Sequence, residues 1–81
     1  MDYLIDRQFG EQIRALRMKA GLSQEQLAAK LQLTGRDMSR SALAKIEAGL
    51  RHVYLEDIYA LKQALDVSFD ELLDTSAGKE S

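Results

Sequence analysis

Between Ser23 and Gly49 the apolar pattern starts, breaks and starts again, which commits the chain to two short helices joined by a turn. Ser23 followed three residues later by Gln26 is a capping-box pattern. Leu27, Ala28 and Leu31 then recur on one face at helical spacing. Thr34-Gly35-Arg36-Asp37 is a breaker cluster. Beyond it Ser39 or Ser41 offers a cap for a second helix, which buries Leu43 and Ile46 and ends near Gly49. Helices this short are marginal alone, so others must cover their apolar faces.

The rest of the chain supplies those covers. Phe9, Ile13 and Leu16 form an i, i+4, i+7 stripe, predicting an amphipathic helix from about Leu4 to Lys19, with Gly21 as its left-handed stop. Leu55, Ile58, Leu61 and Leu65 predict a fourth helix with those four residues facing inward. Ser68 with Glu71 opens a short fifth helix through Leu73. With no strand alternation and no proline to interrupt a helix, the expected fold is all-α. At 81 residues one domain is expected, over 1–74, with a small, polar and disordered tail at 75–81.

Charge separates along the chain. Residues 1–29 balance four cations against four anions, residues 30–52 carry five against two, and residues 53–81 carry two against seven. The local net of +3 falls on the segment holding Arg40, Ser41 and Lys45, although the whole chain is at −2. A small helix with Leu43 and Ile46 inside and those three residues outside is suited to the major groove of DNA. Several other chemistries lack their residues. There is no cysteine and only one histidine, His52, so neither a His/Cys metal site nor a supported Ser-His-acid constellation can be assembled. No phosphate-cradling glycine-rich motif is present. The expectation is therefore no enzyme, no cofactor, no metal and no small-molecule substrate. Asp2, Asp6, Arg7 and Gln8 interrupt the N-terminal apolar residues, which argues against a signal peptide or membrane span and predicts a cytoplasmic protein.

Gly21-Leu22-Ser23-Gln24, Leu27-Ala28, Ser39 to Leu43, Lys45 to Gly49 and Leu65 to Leu72 together resemble the Cro/phage-repressor helix-turn-helix, the xenobiotic-response-element group of transcription regulators. The resemblance covers about residues 6–74 and implies a compact five-helix, lambda-repressor-like DNA-binding domain. It implies base contacts from Arg40, Ser41 and Lys45, to which the size of Ala44, on the same helix, adds an apolar one. Arginine can bond guanine bidentately, and the Ala44 methyl can touch a thymine methyl. It implies phosphate contacts from Gln24, Ser39, Arg51 and His52; Arg36, outside the family's pattern, either adds a phosphate contact from the loop or is a solvated loop tip. It also implies a structural ion pair between Arg17 and Glu47, which takes a carboxylate off the DNA-facing side of its helix.

The chain departs from that pattern in two places. Six residues, Gln32 to Asp37, stand where the family usually has one glycine, so the turn is elongated by five. Leu33 within it either continues the second helix or pins the loop. After Arg51, Val53 and Tyr54 stand where a proline and a capping Ser or Thr are common, which predicts a poorly capped fourth helix. Leu50, Val53, Tyr54 and Tyr59 exceed the needs of one small core and are the expected interface of a homodimer. The resulting expectation is an operator-binding regulator acting as a repressor. The rival is a protein-interaction module of the same shape, such as an antitoxin-like or antirepressor partner.

Overall fold

Glycine and serine set most helix ends of the domain. The computed structural model describes residues 3–74, which form α1 (Tyr3–Lys19), α2 (Gln24–Leu33), α3 (Arg40–Glu47), α4 (Leu55–Leu65) and α5 (Phe69–Leu72). The tail expected at 75–81 lies outside the described residues. Gly21 takes φ 75° after α1, so Leu22 N–H can reach back to the Arg17 carbonyl at 3.1 Å. Ser23 caps α2 through its hydroxyl, and the Gln26 side chain returns a bond to the Ser23 amide. Of the two serines offered for α3, Ser39 is the cap, accepting from Ala42 N–H at 3.1 Å. Gly49 ends α3 at φ 72°, and Ser68 caps α5.

The extra turn residues divide between helix and loop. Gln32 and Leu33 extend α2, and only Thr34–Ser39 separate it from α3. Leu33 is thus helical and points to solvent at 88% exposure; it does not pin the loop. Met38 does that instead, with 2% exposure.

One core unites all five helices. Phe9, Ile13 and Leu16 meet Leu27, Leu31, Met38, Leu43, Ile46, Ala60, Leu61, Leu65 and Leu72. The Gln12 side-chain amide donates to the Glu71 carbonyl at 2.8 Å and ties α1 to α5. At Gly10, α1 lies directly on the end of α3. A Cβ there would run into the Ile46 carbonyl oxygen and come within 2.8 Å of that of Glu47.

The inward face of α4 differs from the expected one. Leu55 is 62% exposed, Ile58 is half-buried, and Asp57, Ala60, Leu61 and Leu65 are buried. At about 100° per residue, Leu55 lies about 120° around the helix from Leu61, whereas Asp57 and Leu65 flank Leu61 closely. The spacing of leucines alone hid this, because a carboxylate occupies one of the inner positions.

Candidate nucleic-acid interface

The outer face of α3 is polar because its inner face is fully used. Leu43 and Ile46 are buried without exposure, and Arg40, Ser41 and Lys45 are exposed. Ala44 is half-buried beside them. Arg40 stands in the first turn of α3, which holds no acid. A cleft of about 400 Å³, lined by Arg17, Ser23, Gln24, Glu25 and Arg40, opens where the N-termini of α2 and α3 lie side by side. The positive ends of two helices and the Arg40 guanidinium favour an anion there, opposed by the Glu25 carboxylate on the same lining.

Beneath this face lies a buried polar network. Arg17 Nε donates to Glu47 Oε2 at 2.7 Å and Arg17 Nη2 to Glu47 Oε1 at 3.0 Å, a two-point bond. The third arm, Nη1, donates to the Leu22 carbonyl at 2.8 Å. Its bonds to Glu47 hold the Arg17 guanidinium above its ordinary, already high, value against the opposing effect of burial. Gln24 Nε2 donates to Glu47 Oε1 at 3.1 Å. Glu47 therefore faces α1 and α2, leaving the exposed side of α3 without a carboxylate of its own.

The residues expected around α3 fall into separate groups. Ser39, the cap of α3, is exposed, and so is His52 in the segment between α3 and α4. Arg36 and Arg51 are half-buried and converge on Asp57, at 2.8 Å and 3.3 Å. Asp57 also accepts the Tyr54 N–H at 2.9 Å, the return half of a capping box at the start of α4, where Tyr54 gives no side-chain cap of its own. Arg51 lies over the Tyr54 ring, 6.0 Å from its centre. Leu50, Tyr54 and Tyr59 are exposed, as are Met18, Leu33, Leu55, Phe69 and Leu73, whereas Val53 packs against the core. Tyr59 and Phe69 meet edge to face at 5.5 Å.

Gly10 and Asp57 carry structural weight that the sequence reading passed over. A glycine inside an apolar helical stripe with no cap to form is a sign of close backbone approach. An acid three residues into a helix that lacks a capping side chain was the available sign for Asp57.

A family model described as helix-turn-helix matches residues 13–72. The control protein C.BamHI of Bacillus amyloliquefaciens is 37% identical over 67 residues, covering 82% of this chain and 76% of that protein. The solved restriction-modification controller protein C.AhdI from Aeromonas hydrophila is similar at 38% identity and a TM-score of 0.77, covering 86% of this chain and 94% of that one. The clp gene regulator ClgR from C. glutamicum shares the fold at a TM-score of 0.80 and 23% identity, over 95% of this chain and 94% of its own.

Proposed function

The chain belongs to the Cro/C1-type helix-turn-helix family and is a DNA-binding transcriptional regulator rather than an enzyme, and we propose that it reads the major groove with α3 as a homodimer and represses by occupying its operator. One observation carries the reading. The polar side chains of α3 point outward as a set while its only acid, Glu47, is turned in and neutralised by Arg17. Arg40, Ser41 and Lys45 are then the groups for base edges, with Ala44 for a thymine methyl. Gln24 lines the cleft beside Arg40, Ser39 caps the same helix, and His52 is exposed five residues past it; these are the groups proposed for phosphate. Gln24 keeps one amide hydrogen beyond the one given to Glu47.

A two-fold dimer doubles the few base contacts of one domain and places its half-sites about one helical turn apart. The exposed apolar surface of Leu50, Tyr54, Leu55 and Tyr59 supports that assembly. Selection of bound sites from random duplex DNA, followed by mobility shifts, tests the reading. Arg40→Ala costs roughly 1–3 kcal/mol and relaxes one base position. Unchanged affinity in a folded Arg40→Ala/Lys45→Ala variant rules out α3 as the reading helix.

A further inference from the structure

Asp57 is a fully buried carboxylate that the contact surface does not use. Its Oδ1 accepts from Arg36 Nε at 2.8 Å, and its Oδ2 accepts from Arg51 Nη2 at 3.3 Å and from Tyr54 N–H at 2.9 Å. Arg36 lies in the turn before α3, three residues ahead of the Ser39 cap, and Arg51 lies two residues past Gly49. The two arginines thus bracket α3, and both end on the same point of α4. Resting on the DNA-reading role of α3, we propose that Asp57 is a positioning residue for recognition: it fixes the elongated turn and the segment after α3, and so sets the pose of α3, with Arg36 and Arg51 acting through it instead of through phosphate.

Electrostatics favours this arrangement over release of either arginine to DNA. A carboxylate with no exposure is tolerated only while paired and hydrogen-bonded. Taking one cation away leaves a buried charge under-compensated, a larger penalty than one solvent-screened phosphate contact returns. Both arginine side chains are largely covered, at 34% and 30% exposure. Bonding to Asp57 also holds the Arg36 guanidinium above its ordinary value. The Arg36 amide is committed too, donating to the Leu31 carbonyl at 3.2 Å, so this residue joins α2, the turn and α4. Without such a joint the Thr34–Ser39 turn would keep only Met38 as a core anchor, and the angle between the motif helices would loosen.

The test measures affinity against salt on a duplex selected by the wild type, for Arg36→Gln, Asp57→Asn and the double variant. Asn can still accept the Tyr54 N–H, so the start of α4 is retained while the charge is lost. The expected result for Arg36→Gln is a Kd raised about tenfold with an unchanged salt slope, and broadened preference at bases under Arg40 and Lys45. In the Asp57→Asn background the same change adds no further loss. A slope shallower by about one per protomer, with base preference intact, shows Arg36 on phosphate and overturns the proposal. Additive losses, or an unchanged Kd for Arg36→Gln, overturn it as well. If circular dichroism finds Asp57→Asn unfolded, the slope of Arg36→Gln decides alone. A wild type that selects no sequence overturns the recognition reading and the proposal with it, whereas a selected site with the shallower slope overturns only the proposal.

Discussion

Glu47 shows how one side chain can be compatible with a DNA-facing helix or ruin it. Facing outward it would repel phosphate. Turned inward it takes two bonds from Arg17 and one from Gln24, and it is 8% exposed. Glu47→Ala leaves the Arg17 guanidinium buried without its counter-ion, keeping only the Leu22 carbonyl, at a cost of about 3 kcal/mol. For a domain of this size that lowers Tm by on the order of 10–20 °C. Lys45→Ala, on the exposed side of the same helix, leaves Tm within a few degrees while weakening DNA binding. A thermal scan of both variants checks the contrast, and equal melting temperatures would contradict the buried role.

At the scale of elements, the contact between α1 and α3 depends on Gly10. Alanine is the better helix former by about 1 kcal/mol, so propensity alone predicts that Gly10→Ala stabilises α1. The backbone of α3 decides otherwise, because the added methyl meets the Ile46 and Glu47 carbonyl oxygens. The expected outcome is a net loss of about 1–3 kcal/mol from overpacking. Urea denaturation measures it, and a rise in stability would show that the two helices can separate without cost. Ser23→Ala acts on a single helix end. Its hydroxyl and the Gln26 side chain satisfy two otherwise orphaned amides of α2, and losing the cap costs about 1 kcal/mol.

For the whole molecule, DNA reading is proposed for the polar face of α3 and self-association for the exposed apolar residues. The positive segment 30–52 carries α3, and the acidic stretch after it carries α4 with its exposed Leu55 and Tyr59. Tyr59→Asp places a charge in that patch without disturbing the core, since Tyr59 is 55% exposed. Sedimentation equilibrium is expected to show a wild-type dimer and a largely monomeric, folded variant, with weaker binding to paired half-sites than wild type. A monomeric wild type that binds single half-sites as tightly as paired ones removes the dimer.

Helix count, most helix ends and most of the core were legible in the chain because they rest on local chemistry: serine caps, glycines at positive φ, and apolar residues at helical spacing. The outward set on α3 was legible for the same reason, since burying Leu43 and Ile46 fixes where Arg40, Ser41 and Lys45 point. Partners distant in sequence were a different matter. The Arg17–Glu47 bond spans 30 positions and was available only through a family resemblance. The inward turn of Asp57, the approach at Gly10 and the exposure of Leu55 depended on how α1, α3 and α4 pack, which no single helix encodes. A helix's own periodicity says which residues share a face. Only its neighbours determine which face is buried, and whether a charge on that face finds its counter-ions.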